Sequence, residues 1–422
     1  MPAPLASRIA LLGLGAGFFL LPFGAAYEAG LLLCWLAVLL AGRPSLIWPG
    51  FIWPKHALKL IAIAFGGYIL AAALALPDAV APARSASNTL GLFRLPGFAL
   101  AALLLSEQQR RTLLRWLALV TAFWLADALC QALFGYGLRG VSSSDRLSGI
   151  FGDNLKLGPV LAVSAALLLA ALQQRPRWQL LALSLLVVCI LLAGTRSGWV
   201  MLAVVLLFWG ESVRRRSAWP LWRVAAITLT VLPVLATALY LQWPSFAGRV
   251  DRTSLLLSAD RAQVDAALAY RLPIWETSVQ MLRAHPINGV GTRGFRYAYA
   301  DHAQPSDRWL ASGGALHPHQ LLFEILCETG IIGLLCWLVA GLALLRSYQR
   351  AAPPARARAW PYAVALIAMV FPINTHLAFY SSFWGLLFAL MLGLYIASLL
   401  ASDAPEVAQN LAAEPTVRAL NQ

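Results

Sequence analysis

The chain has 422 residues, of which 60% are hydrophobic and only 12% charged. Soluble proteins carry about a quarter charged residues, so a soluble enzyme of two or three domains is excluded. The formal charge of +14 comes from 29 arginines and three lysines, clustered in short loops between apolar runs. That placement reads as membrane topology and not as nucleic-acid binding.

Apolar runs of about 20 residues cross the hydrocarbon as helices. Inside it every backbone group needs a partner, which a helix supplies from its own segment. The runs lack the alternation of barrel strands. Expected spans, in chain order, are 8–26, 28–42, 57–77, 88–105, 113–135, 157–173, 178–194, 197–211, 221–243, 319–345, 360–376 and 379–401. No small-residue cleavage site closes the first run, so it reads as a span and not a removed signal. The expected fold is all-α: a polytopic membrane protein of about 12 transmembrane helices. Residues 1–243 hold spans 1–9, 244–318 form one long connection, 319–401 hold spans 10–12, and 402–422 are a polar tail.

The loops after spans 2, 4, 6, 8 and 10 carry fourteen basic residues against two acidic ones, Glu107 and Glu211. Positive-inside then puts both termini in the cytoplasm and the long connection outside. Long loops are functional or disordered. This one has helical stretches and aromatics, so it is expected to be partly helical and folded.

Between Pro244 and Pro318 stand Arg249, Arg252, Arg261, Arg271, Arg283, Arg293, Arg296 and Arg308, with no lysine and six acidic residues. Arginine presents a rigid fork of donors that matches phosphate oxygens. Such a loop suits a phosphorylated ligand, anionic lipid, or pairing within the loop. Asp260–Trp275 reads as one helix, with Val264, Leu268, Arg271 and Trp275 on one face. Arg271 on that apolar face needs an anion or an outlet to water. Arg196, in Gly194-Thr-Arg196-Ser-Gly198, falls at the outer membrane edge, where charges are functional candidates. His317-Pro-His319 opens span 10; histidine suits proton transfer near neutral pH, and a general base acting on a hydroxyl is the sharper reading. The segment from His285 to Thr292 is glycine-rich but is no Walker loop; its glycines fit tight turns with close backbone approach. Asp127 lies inside span 5, an expensive place for a charge, and His376 at the end of span 11 is a weaker candidate. Cys34, Cys130, Cys189, Cys327 and Cys336 all sit in apolar runs without metal or disulfide spacing.

Four segments together resemble the O-antigen ligase/polymerase superfamily. They are Arg146-Leu-Ser-Gly-Ile-Phe-Gly-Asp-Asn154, Gly194 to Gly198, Arg271 through Trp275 to the His285–Thr292 stretch, and His319 to Gly333 with Glu328 and Gly330. Two positions depart from the family's usual pattern: Gln320 stands where Asn is common, and Asp153-Asn154 where Pro-Asn is. The resemblance implies a GT-C-like membrane enzyme of the bacterial inner membrane, active on its periplasmic face. It would move a glycan from undecaprenyl diphosphate to an acceptor hydroxyl, of lipid A–core in a ligase, of another repeat unit in a polymerase, or of a protein. By motif position His319 is the implied base, and Arg196 and Arg271 bind the diphosphate, joined by Arg249 and Arg293. His317, Asn154, Lys156 and Glu328 are supporting candidates. No cofactor or metal is implied, and nucleic acid is no partner. A transporter of lipid-linked glycans is the alternative from another class.

Overall fold

The computed structural model describes residues 5–42, 53–141, 146–152, 155–217, 220–374 and 378–400. Asn154, His376 and the tail 402–422 lie outside the described residues. Among the described residues all regular structure is helical, with no β-strand. The helices are α1 (Leu5–Phe19), α2 (Glu28–Ala41), α3 (Lys55–Leu74), α4 (Pro82–Leu92), α5 (Pro96–Leu103), α6 (Glu107–Phe134), α7 (Leu157–Ala171), α8 (Pro176–Leu192) and α9 (Arg196–Ser217). Then follow α10 (Leu221–Gln242), α11 (Pro244–Ser254), α12 (Arg261–Ala267), α13 (Leu272–Ala284), α14 (Phe295–His302), α15 (Leu321–Arg350), α16 (Pro353–Val370) and α17 (Ser382–Leu400).

Among the described residues six helices are long and apolar enough to cross a membrane: Gly24–Ala41, Lys55–Leu74, Glu107–Phe134, Arg196–Arg215, Leu321–Arg350 and Ser382–Leu400. With shorter apolar helices beside them, the chain is a multi-pass, all-α membrane protein. The expected spans fall unevenly on these helices. Span 4 is two short helices, α4 and α5, because Pro96 starts a new helix after the turn at Phe93–Leu95. Spans 1, 6 and 7 fall on shorter apolar helices.

Composition decides which helices lie inside. α17 and α7 are apolar all round, and nearly every residue of both is buried, as a helix without a polar face must be. α3, α5 and α16 pack on α17, while α6, α8, α9 and α16 pack on α7. Small residues set the closest approaches. A Cβ on Gly30 of α2 would stand 2.4 Å from the Gly17 Cα of α1, a contact that only glycine pairs permit between helices. Ion pairs add polar ties: Arg94 pairs with Glu28 at 2.8 Å, and Arg358 of α16 with Glu107 of α6 at 3.4 Å.

Two helices are broken. The single helix expected over Asp260–Trp275 is interrupted between α12 and α13. Ala269 and Tyr270 take left-handed backbone there, φ 58° and 61°, and Pro273 begins α13. Arg271 therefore caps α13 and does not ride an apolar helix face. In α15 the break is at Gly330, φ 62° and ψ −164°. The freed amides of Ile331 and Ile332 donate to the carbonyls of Pro286 and Ile287 at 3.0 and 3.1 Å, and Val290 donates to Cys327 at 2.8 Å. The glycine-rich segment is thus inserted into the helix break. Close approach explains its glycine: a Cβ on Gly289 would lie 2.5 Å from the Cys327 carbonyl. Past the break, residues 331–350 are twenty in number, enough on their own to cross about 30 Å of hydrocarbon.

Candidate active site

Arg146 owes its place to a side chain far from it in sequence. Gln131 of α6 accepts from the amides of Ser148 and Gly149 at 2.9 and 2.8 Å. Leu147 donates to the Leu192 carbonyl at the end of α8. The segment is thereby laid against the turn that leads into α9, whose first residue is Arg196. The starts of α7 and α9 pack almost backbone to backbone, since a Cβ on Gly198 would lie 3.1 Å from the Gly158 carbonyl carbon. Gly194, at φ 67°, leaves room for the Arg249 guanidinium of α11, whose Nε would be 2.6 Å from an added Cβ.

Arg271 lies within electrostatic reach of Arg196 and Arg146, and both of these feel Arg252. Burial, then the charges of Arg196 and Arg146, push the Arg271 guanidinium down to about 10. Arg146 is likewise lowered, by burial first and by Arg252 second. Four cations from four separate stretches are held together, and the first turns of α9 and α13 add the positive ends of two helix dipoles. Such an arrangement is built for a polyanion.

The histidine pair is fixed beside this cluster. Trp275, one turn past Arg271 in α13, donates its indole N–H to the Pro318 carbonyl at 3.1 Å. On the other side, Gln320 donates to the Pro372 carbonyl at 2.8 Å, and its own Oε1 caps α15 by accepting from the Phe323 amide. His319 sits between these anchors in left-handed backbone, φ 53°. For a residue with a Cβ that conformation costs of order 1 kcal/mol and persists only where the surroundings impose it. The ring centroids of His317 and His319 are 3.8 Å apart. The His319 amide donates to His317 Nδ1 at 3.3 Å, which leaves the proton of a neutral His317 on Nε2.

Four sequence candidates have other contacts. Arg293, also left-handed at φ 64°, donates its amide to the Glu328 carboxylate at 2.7 Å. Its charged neighbours include Arg296, Glu328 and Glu324. Glu328 is 1% exposed and serves to hold the inserted segment. Lys156, at the start of α7, places its ammonium 4.0 Å over the Phe383 ring. Asp127 is accounted for locally, accepting the Leu138 amide at 2.6 Å with Gly137 and Gly149 drawn close.

Sequence reasoning did not single out Arg146 and Arg252 as members of the cluster, nor Gln131 as the residue that sets Arg146. The first two carried a signal: Arg146 opens the first motif segment and Arg252 follows Arg249 by one helical turn. Gln131, inside an apolar span, carried none. Among the described residues no group of three or more His, Cys, Asp or Glu could hold a metal ion.

Residues 181–338 match the family model described as O-antigen ligase. This match supports membership of the O-antigen ligase/polymerase superfamily. The matched O-antigen ligase region runs from α8 into α15 and contains Arg196, Arg249, Arg252, Arg271 and the histidine pair. Arg146, Gln131 and Lys156 precede it. A search of the curated proteins returned no match.

Proposed function

We propose that this protein is an O-antigen ligase. It transfers a glycan from undecaprenyl diphosphate to a hydroxyl of lipid A–core oligosaccharide during lipopolysaccharide biosynthesis. The observation that carries the reading is the set of arginines 146, 196, 252 and 271 gathered beside the strained His319. In this reading the protein lies in the bacterial inner membrane with both termini cytoplasmic, and residues 244–318 form a periplasmic loop. Spans 1–9 precede that loop and spans 10–12 follow it.

The polyprenyl chain arrives laterally from the bilayer, and its diphosphate meets Arg196 and Arg271, with Arg146, Arg249 and Arg252 around them. As the bond between the anomeric carbon and the diphosphate oxygen breaks, negative charge grows on that oxygen. Fixed cations in a partly desolvated site stabilise it by several kcal/mol, as electrostatic preorganisation does elsewhere. The acceptor oxygen attacks the anomeric carbon from the opposite face, inverting it, and its proton passes to His319. Diphosphate is a good leaving group, so the step calls on neither a general acid nor a metal. His317, whose ring lies tilted against that of His319 and accepts the His319 amide, keeps its orientation.

A transporter would distribute its charges along a path through the helices, whereas these arginines cluster at one end of α9 and α13. The deciding assay gives the purified protein a polyprenyl-diphosphate glycan with and without lipid A–core, each with chelator. Product only with lipid A–core supports a metal-independent ligase. Donor chains that lengthen without it make the protein a polymerase, and no transfer in either arm overturns the reading.

A further inference from the structure

A second group of arginines lies away from the first. Ser85 of α4 donates its hydroxyl to the Thr292 carbonyl at 3.0 Å, and Thr292 returns its own hydroxyl to the Ser85 carbonyl at 3.5 Å. Arg84 and Arg293 are the residues next to this pair. The backbone there is doubly fixed, because Val80 donates to the Val290 carbonyl at 3.0 Å and the Arg293 amide is held by Glu328. Arg296, the second residue of α14, lies within electrostatic reach of both Arg293 and Arg84. The acids close by are already engaged: Glu328 by the Arg293 amide, Glu324 by the Tyr380 amide, and Asp78 by Asn288 at 2.6 Å.

The depth of this group is also fixed. Asn288 donates to the Leu74 carbonyl at the last residue of α3, a helix long enough to cross a membrane. The crossing part of α15 starts at the same level, just past Gly330. Lipid phosphates stand where spans end. Arginine matches them with paired donors better than lysine does. Glu328 is seven residues beyond Leu321, about 10 Å along the axis at 1.5 Å per residue. The histidine pair therefore stands further out, at a distance that the sugars between a lipid phosphate and a terminal hydroxyl can bridge.

We propose that Arg84, Arg293 and Arg296 form a second anion site, which takes a phosphate on the headgroup of the glycolipid acceptor. The two substrates then enter with separate phosphate contacts, the donor at Arg196 and Arg271 and the acceptor here. This rests on the ligase reading given above.

The test uses the full-length protein in nanodiscs, with lipid A–core in its phosphorylated form and after phosphatase treatment. Kd for each form is measured by direct binding, and acceptor KM is measured in the transfer assay. The wild type is expected to bind the phosphorylated form about tenfold more tightly than the treated one. Arg84→Glu, at an exposed position, and Arg296→Ala should each remove most of that difference. Donor KM should stay unchanged, and Arg296→Lys should recover part of the preference. Equal binding of the two forms by the wild type overturns the site, as does a variant that keeps the preference. Phosphatidylglycerol that abolishes the preference at equal mole fraction shows a general anionic-lipid site and overturns the acceptor assignment. Intact preference without any transfer to lipid A–core leaves this site standing and overturns the ligase reading instead.

Discussion

The indole of Trp275 donates to the carbonyl of Pro318 at 3.1 Å, and this bond ties the helix that begins at Arg271 to the segment that carries His319. It couples the proposed phosphate contact to the proposed base. Trp275→Phe keeps the packing against Phe323 and removes only the donor. It is expected to lower kcat about tenfold, the effect of a small misplacement at a reacting centre, with donor affinity within twofold of wild type. Unchanged kcat would show that the bond does not position His319.

His319→Ala should abolish transfer while donor binding stays near normal; near-normal turnover by that variant removes His319 from the role of base. The backbone adds a second expectation. Because φ is 53° at this position, His319→Gly relieves strain that His319→Ala retains. The glycine variant should therefore be more stable than the alanine variant by about 1 kcal/mol, measured by thermal unfolding in detergent, although both are inactive.

Arg271 illustrates a conflict between stability and function. Its guanidinium is lowered to about 10, well below the usual arginine range, by burial and by Arg196 and Arg146. A cation lowered on folding weakens the fold at every pH below its folded value, and the cost fades only as pH rises past about 10. At neutral pH the cost is present in full. Arg271→Gln should raise the unfolding temperature of the ligand-free protein by roughly 2–4 °C. Inorganic pyrophosphate should stabilise the wild type and leave the variant unmoved. A variant that unfolds earlier, or still responds to pyrophosphate, contradicts this account.

Gly330→Ala attacks the seam between the inserted segment and α15. The new Cβ would stand 2.2 Å from the Ile287 carbonyl oxygen, at a φ of 62° that favours glycine. Loss of several kcal/mol is expected, in the range reserved for clashes at special backbone positions. Proteolysis near residues 286–290 should become fast in the variant, and protection equal to wild type would count against the insertion.

Much of this was legible beforehand, for identifiable reasons. The apolar runs marked the helices because the bilayer imposes length and composition locally. The glycines of the His285–Thr292 stretch announced a close backbone approach, and Gly289 makes one. What stayed hidden depended on contacts between distant segments. Nothing near Arg146 says that Gln131 will accept from two amides and turn it toward Arg196. The periodicity of Val264, Leu268 and Trp275 suggested one continuous helix, yet Ala269 and Tyr270 break it, and Trp309 donates to the Tyr270 carbonyl there at 2.7 Å. The resemblance implies Arg293 as a diphosphate contact; its amide donates to Glu328 and Arg296 is a charged neighbour, which supports the second site proposed above.

The burial of α17 bears on how the molecule is made. This helix follows in the chain every helix that packs on it, and almost none of its surface faces outward. During synthesis α3, α5 and α16 therefore emerge before the partner that fills the space between them. Until α17 leaves the ribosome, those helices lack that partner.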